Sequence, residues 1–137
     1  MRAVNLIVAL TSVLAASCQS LQSAPRSRAT VEHVVVCWLK SPGDATARQR
    51  IIDESNAFLG VIPGLVRVSA GPSLPSTRPA VDSTFDVAVV MSFEDEAALR
   101  AYEEHPRHRQ AVERVLRPLV GKLVIYDVVD RRAGPVR

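Results

Sequence analysis

The sequence predicts an α+β fold of the ferredoxin-like kind, in which a strand–helix–strand unit occurs twice. Two observations support this prediction. Some segments alternate apolar and polar residues, others repeat apolar residues at helical spacing, and they follow one another in the order βαββαβ. The chain of 137 residues also has room for a single domain, which we place at 31–130. A basic tail follows at 131–137.

Residues 1–30 differ in composition from this domain. Arg2 precedes a short apolar run, and small residues at 15–17 lead directly to Cys18. The layout is typical of a secretory signal and is too short for a membrane-spanning helix. Small residues before a cysteine are similar to the lipobox of bacterial lipoproteins. We therefore expect a signal peptide at 1–17, a lipidated Cys18 and a flexible tether to residue 30.

The lipobox resemblance also implies a location. The protein is expected in the bacterial cell envelope, anchored by its lipid on the extracytoplasmic side of a membrane. An ordinary cleaved signal is the alternative, and it implies a secreted or periplasmic protein.

Order is expected to begin near Val31, and the first strand is the β-branched run at 34–39, with His33 at its opening. His33, Val35 and Cys37 share one of its faces. Both faces are apolar, which predicts that both are covered.

A helix follows and runs to about Leu59, with Asp44 or Thr46 as its cap. Pro63 and Gly64 precede a second strand at 65–70. Helical spacing assigns four residues to the inward stripe of the helix: Ile51, Ser55, Phe58 and Ile62.

The second half contains the clearest strand, at 84–93, after an irregular loop at 73–83. Acidic residues at 94–96 mark the start of the next helix, because its dipole favours them there. Leu99 and Tyr102 lie on the inward side of that helix.

A His105-Pro106 step interrupts this helix. Proline suits a first helical position, so we expect a new helix from Pro106 to residue 117, capped near His105 and stopped by Pro118. A last strand follows at 123–129. The new helix has one inward face: His108, Val112, Val115 and Leu119. Two of its residues are assigned to solvent: Arg107 and Arg109.

Composition limits the function classes. The formal net charge is +3, or +2 after Arg2 leaves with the signal, which is too small and too scattered to indicate nucleic acid binding. One Trp, two Tyr and three Phe provide no stacking platform. If Cys18 is lipidated, Cys37 has no disulfide partner, and we expect it to be a small buried hydrophobe. Nothing in the sequence indicates a cofactor.

A sheet with helices on one face leaves its other face open. Because the first strand is apolar on both sides, a second copy of the chain is expected to cover the open face. The sequence therefore predicts a homodimer.

The whole pattern resembles the stress-responsive A/B barrel (Dabb) family, over about 31–130. The resemblance implies a dimeric α/β barrel built from two ferredoxin-like protomers. It rests on five motifs: His33-Val34-Val35-Val36, Ile62-Pro63-Gly64-Leu65, Ser92-Phe93-Glu94-Asp95, the HPxH-containing segment from Ala98 to His108, and Leu123-Val124-Ile125-Tyr126-Asp127.

One branch of that family is a plant polyketide cyclase with cofactor-free aldol chemistry. The resemblance implies catalytic roles for His33 on the first strand, Tyr102 on a helix, and His108 as the base. The place of a further catalytic tyrosine falls on Ser55, whose hydroxyl is shorter and far less acidic than a phenol. The residues expected to line the pocket are Ser55, Val35, Leu99 and Val112.

Three functions remain open. The first is a membrane-tethered barrel that binds a small apolar molecule near His33 and His108. The second is a cofactor-free lyase, cyclase or monooxygenase-like enzyme, in which neutral His108 takes a proton next to a carbonyl and Tyr102 holds the enolate oxygen. The third, a haem or metal site, is disfavoured because no carboxylate is spaced for a metal cluster. A structural role for both histidines, in hydrogen bonds to each other or to the backbone, is also open.

Overall fold

The structure is a computed structural model that describes residues 31–130. The predicted signal peptide, Cys18, tether and basic tail lie outside the described residues. The elements are β1 (Val31–Leu39), α1 (Ala45–Asn56), β2 (Leu65–Gly71), β3 (Val87–Phe93), α2 (Glu96–Glu104), α3 (Pro106–Ala111), a π-helical turn (Val112–Leu116), α4 (Arg117–Leu119) and β4 (Val120–Val129). This order confirms the predicted βαββαβ pattern.

The four strands form one antiparallel sheet in the order β2-β3-β1-β4. This arrangement confirms the ferredoxin-like fold. The first strand lies in the interior of the sheet, and His33 has Met91 opposite it on β3 and Asp127 opposite it on β4. The last strand, β4, is an edge strand.

The helices cover one face of this sheet and enclose the core. Alternate residues of β1 and β3 face the helices and are buried, as the period of two predicts. Ile51 and Phe93 are among the largest fully buried side chains. The helix α1 ends at Asn56, earlier than the predicted end near Leu59. Of the predicted inward stripe, Ile51 and Ser55 therefore lie on α1, whereas Phe58 and Ile62 lie in the turns that follow it; all four are buried.

Side-chain caps fix where the helices begin. Asp44 accepts hydrogen bonds from two backbone N–H groups at the start of α1, and Asp95 accepts one from the N–H of Ala98 in α2, at 2.7 Å. Nδ1 of His105 accepts from the backbone N–H of Arg107 at 3.1 Å, which confirms the predicted cap of α3.

Pro118 does not stop the helix, contrary to the prediction. It lies within α4, which continues to Leu119. Proline has no N–H to donate to the carbonyl of Arg114, four residues earlier. The Arg50 guanidinium on α1 donates to that carbonyl instead, at 3.2 Å. The helix therefore tolerates the proline because a side chain replaces the missing donor.

Two strand boundaries also differ from the prediction. The third strand begins later, at Val87, because Asp86 is engaged in the preceding turn. The Asp86 carboxylate accepts hydrogen bonds from the backbone N–H groups of Leu39 and Gly43, at 2.8 and 2.7 Å. The last strand begins earlier, at Val120, directly after α4.

The face of the sheet away from the helices has an apolar patch on β1 and β4 that is only partly covered. Val34, Val36 and Trp38 on β1 are half-buried, and Tyr126 and Val128 on β4 are more than half exposed. An apolar surface of this kind marks a place where another molecule packs. None of the helices within residues 31–130 is long and apolar enough to cross a membrane.

Candidate active site

Tyr102 lies between the two histidines that the sequence singles out. Its ring centroid is 4.2 Å from that of His108 on α3 and 5.6 Å from that of His33 on β1. Tyr102 and His33 are both buried. Three separate elements therefore bring these side chains to one place. Each histidine forms its hydrogen bond with a residue other than the second histidine.

His108 is held as a neutral base. Its Nδ1 lies 3.1 Å from the carbonyl oxygen of Glu103, at the end of α2. Because a carbonyl only accepts, Nδ1 carries the proton and Nε2 carries the lone pair. Burial lowers the pKa of His108 below its ordinary value and outweighs the hydrogen bond to the Glu103 carbonyl, which raises it; the nearby His33 lowers it further. The imidazole is therefore uncharged at neutral pH.

His33 is oriented by a carboxylate. Its Nδ1 lies 2.6 Å from Oδ1 of Asp127, the residue directly opposite on β4. An ionised carboxylate only accepts, so this nitrogen also carries the proton and Nε2 has the lone pair. If His33 gains a second proton, the two groups form an ion pair.

Sequence reasoning did not assign a role to Asp127. A signal was present, because Asp127 follows Leu123 and Ile125 on one face of the last strand and is the charged residue on that face. A carboxylate in that position faces the same side of the sheet as His33.

Tyr102 supplies a hydrogen-bond donor. Burial raises the pKa of its phenol well above the ordinary value, with a smaller contribution from Glu103, so the hydroxyl keeps its proton. Phe93 and Phe58 pack against the ring, with centroids at 5.2 and 5.8 Å. These contacts fix the ring, and a fixed donor can stabilise a developing oxyanion.

A cavity of about 390 Å³ opens beside these three residues. Its size falls in the range of small-molecule sites. Apart from His33, Tyr102 and His108, its lining is mainly apolar and comes from β1, the π-helical turn, α4 and β4. The remaining lining residues are Val35, Val112, Leu116, Arg117, Val120, Gly121, Lys122, Leu123 and Ile125.

A second cavity of about 30 Å³ adjoins the first. Five residues line both of them: Val35, Tyr102, His108, Val112 and Leu116. Ser55 lines the smaller cavity but not the larger one. Its hydroxyl donates a hydrogen bond to the carbonyl of Ile51 at 2.8 Å. Leu99, predicted at the pocket, packs instead in the hydrophobic core, because Tyr102 takes the position at the cavity one turn later on α2.

Arg107, predicted to lie in solvent, is half-buried beside the site. It forms an ion pair with Glu54 on α1, and its guanidinium lies over the Phe58 ring at 5.7 Å from the centroid. The sequence does not reveal this pair, because its partners are 53 positions apart. The contact ties α3, which carries His108, to α1.

Cys37 lies in the buried face of β1 and also lines the smaller cavity. Burial raises the pKa of its thiol to about 11, so it stays protonated and packs as the predicted small hydrophobe. Within residues 31–130, no group of three or more His, Cys, Asp or Glu residues is arranged to hold a metal ion.

Several known proteins share this fold. A Dabb family protein with a ferredoxin-like fold from Mesorhizobium loti is 26% identical, covers 75% of this chain and 98% of its own, and has a TM-score of 0.60. A hydroxynitrile lyase from Passiflora edulis is 18% identical, with coverages of 78% and 98% and a TM-score of 0.65. A dimeric ferredoxin-like protein of unknown function from Thermobifida fusca is 20% identical, with coverages of 74% and 92% and a TM-score of 0.60.

The last two similarities concern the fold alone. No match was found among curated proteins. Residues 31–130 match the family model of the stress responsive A/B barrel domain, which is most of the chain and all of its described part. The protein therefore belongs to the stress-responsive A/B barrel (Dabb) family.

Proposed function

We propose that this protein binds a small, mainly apolar carbonyl compound in its larger cavity and acts on it as a lyase, with His108 as general base. The hydrogen bond between Nδ1 of His108 and the Glu103 carbonyl carries the proposal. It fixes the tautomer in which Nε2 is basic, at a residue that lines the cavity. A base with a lowered pKa is already in its active form at neutral pH.

The proposed step uses three side chains. His108 takes the hydroxyl proton of a substrate in which one carbon carries both the hydroxyl and the leaving group. Tyr102 donates a hydrogen bond to the oxygen as it becomes a carbonyl. His33, oriented by Asp127, provides a second imidazole on the same cavity wall.

Two observations favour a lyase over a cyclase. The Ser55 hydroxyl is engaged by the Ile51 carbonyl and lies on the smaller cavity, so it does not replace a phenol in the larger one. One solved structure with this fold, at 18% identity, is a hydroxynitrile lyase.

The test separates binding from turnover. The purified protein is screened for binding of apolar aldehydes by ligand-observed NMR and for cleavage of their 2-hydroxynitrile adducts. His108→Ala should keep the affinity within about threefold and lose about 10²–10⁴ in kcat, the usual contribution of a general base. Arg109→Ala, an exposed change on the same helix, is the control. Equal activity of folded His108→Ala and wild type would show that another group is the base.

We also propose that a second copy of the chain covers the open sheet face. Tyr126 and Val128 expose more than half of their surface there, and the Thermobifida fusca structure of the same fold is described as dimeric. Native mass spectrometry should give a dimer for wild type and for Arg109→Glu, and a monomer for Val128→Glu. A monomeric wild type would refute this proposal and leave the lyase proposal standing.

Membrane anchoring remains a proposal that rests on the sequence around Cys18. A fatty-acid analogue supplied to bacterial cells should label wild type and not Cys18→Ala. Equal labelling of both would reject lipidation at this residue, and no labelling of a cleaved protein would favour the secreted or periplasmic alternative.

A further inference from the structure

A cleft on the outer surface of the helices, away from the candidate active site, is lined by arginines. We propose that this cleft, between α1 and α3, binds a phosphate monoester, either a small soluble one or the headgroup of a lipid. Its volume is about 160 Å³. The residues that line it are Arg50, Glu54, Arg107, Gln110, Arg114 and Val115.

Helical spacing brings these side chains together. Arg107, Gln110 and Arg114 follow one another at intervals of three and four residues, so they share one side of α3 and the π-helical turn. Arg50 and Glu54 are four residues apart on the facing side of α1. Two contacts cross the gap between the helices. The Arg50 guanidinium donates to the carbonyl of Arg114 at 3.2 Å, and Arg107 pairs with Glu54. The charged ends of Arg50, Arg107 and Glu54 therefore lie at the cleft.

The cleft has a positive charge that its own residues do not compensate. Three guanidinium groups line it with a single carboxylate, that of Glu54, which leaves an excess of two positive charges. The other carboxylates of α1, α3 and the π-helical turn are engaged elsewhere. Asp53 accepts a hydrogen bond from Gln49 at 2.8 Å. Glu113 pairs with Arg117 at 2.9 Å.

Arg114 has a guanidinium that is available to a ligand. Its side chain is exposed and has no hydrogen-bond or ion-pair partner within residues 31–130. Arg50 uses one N–H group on the Arg114 carbonyl, and a guanidinium has five such groups. Gln110 is also exposed and adds an amide donor. Several unused donors therefore surround the cleft.

This set of donors favours a phosphate monoester. Such a group carries about −1.5 to −2 charge at pH 7 and three strong acceptor oxygens, which matches the excess charge and the several donors. A carboxylate has one negative charge and two oxygens, so it would leave one cation uncompensated. Guanidinium groups also bind phosphate through pairs of parallel hydrogen bonds. Since one water needs roughly 10–15 Å³ by this measure, the cleft has room for a phosphate group with bound waters.

The first test measures the affinity for glycerol 3-phosphate by isothermal titration calorimetry at low ionic strength. The full chain is used with Cys18→Ala, so that no lipid anchor contributes. Arg114→Gln removes the available guanidinium and should raise the Kd at least about tenfold. Gln110→Glu places a second carboxylate in the cleft and should raise the Kd at least as much. Arg109→Gln, an exposed change on α3 outside the cleft, alters the net charge equally and should change the Kd less than about twofold.

Vesicle sedimentation distinguishes the two sources of the phosphate. Vesicles of phosphatidylcholine alone are compared with vesicles that also contain phosphatidic acid. A preference for phosphatidic acid that Arg114→Gln abolishes and Arg109→Gln retains would identify a lipid headgroup. Binding of glycerol 3-phosphate without a vesicle preference would identify a soluble ligand.

Two results would overturn the phosphate site. The first is a wild type that binds neither glycerol 3-phosphate nor phosphatidic acid. The second is an equal loss of binding in Arg114→Gln and Arg109→Gln, both folded by circular dichroism, because the attraction would then be spread over the surface. The lyase proposal stands in either case, since the cleft and the larger cavity share no lining residue.

Discussion

Gly64 sets how closely the start of β2 approaches helix α2. Its φ is +76°, in the left-handed region, and a Cβ at this position would lie 2.5 Å from Cβ of Ala98. Ala98 precedes Tyr102 by about one turn of α2. The left-handed conformation costs a non-glycine residue about 1–2 kcal/mol, and overpacking adds about 1–3 kcal/mol. Gly64→Ala should therefore lower the free energy of unfolding by about 2–5 kcal/mol.

Gly60 provides the matched control. Its φ is +79°, but a Cβ there has no heavy atom within 4 Å. Gly60→Ala should carry the backbone cost alone, about 1–2 kcal/mol. The difference between the two variants isolates the contact with Ala98.

Urea unfolding followed by circular dichroism measures both variants, with equal m-values as the condition for comparing them. The double variant Gly64→Ala/Ala98→Gly removes the clashing atom, so it should recover the overpacking term and lose only about 1 kcal/mol for a glycine inside a helix. If Gly64→Ala is no more destabilising than Gly60→Ala, α2 does not pack on this turn as described. The position of Tyr102 would then need revision.

Three further predictions concern the site. Asp127→Asn leaves His33 without its carboxylate, so kcat of the proposed lyase should fall at least about tenfold with little change in ligand affinity; an unchanged kcat would show that Asp127 does not orient His33. The ordinary pKa of a histidine is 6.5, and burial lowers the pKa of His108 in the folded protein. The unfolded chain therefore binds a proton at His108 more readily than the folded protein does. The free energy of unfolding should fall as pH drops below about 6.5, and His108→Gln should lose that component in urea titrations at several pH values. Cys37, with its pKa raised to about 11, should resist iodoacetamide at pH 8 until urea unfolds the chain, which mass spectrometry can follow; rapid alkylation of the folded protein would contradict its burial.

The local pattern of the sequence predicts much of this fold because the determining interactions are themselves local. The inward positions of Ile51 and Ser55 on α1 follow from helical periodicity, and the His105 cap follows from the fixed φ of Pro106. The strand alternation likewise follows from burial on one face. In each case a few neighbouring residues are sufficient.

The missed features depend on partners far along the chain. Arg107 is an ordinary exposed helical position until packing brings Glu54 of α1 and Phe58 beside it. The contact of Asp127 with His33 depends on the strand register, which places the two residues opposite each other. Periodicity shows which way a side chain faces, but only the packed structure shows what it meets.

The pairing of the first and last strands has a consequence for the order of assembly. His33 and Asp127 are 94 positions apart, and the cavity wall formed by Leu123 and Ile125 belongs to the same last strand. During synthesis, β1 can pair with β3 and bury much of the core before β4 has been made. A chain cut short before β4 would thus contain both histidines and Tyr102, but neither the Asp127 carboxylate nor the complete cavity. The proposed lyase activity therefore requires the finished chain, because a product that lacks β4 has neither this carboxylate nor the complete cavity.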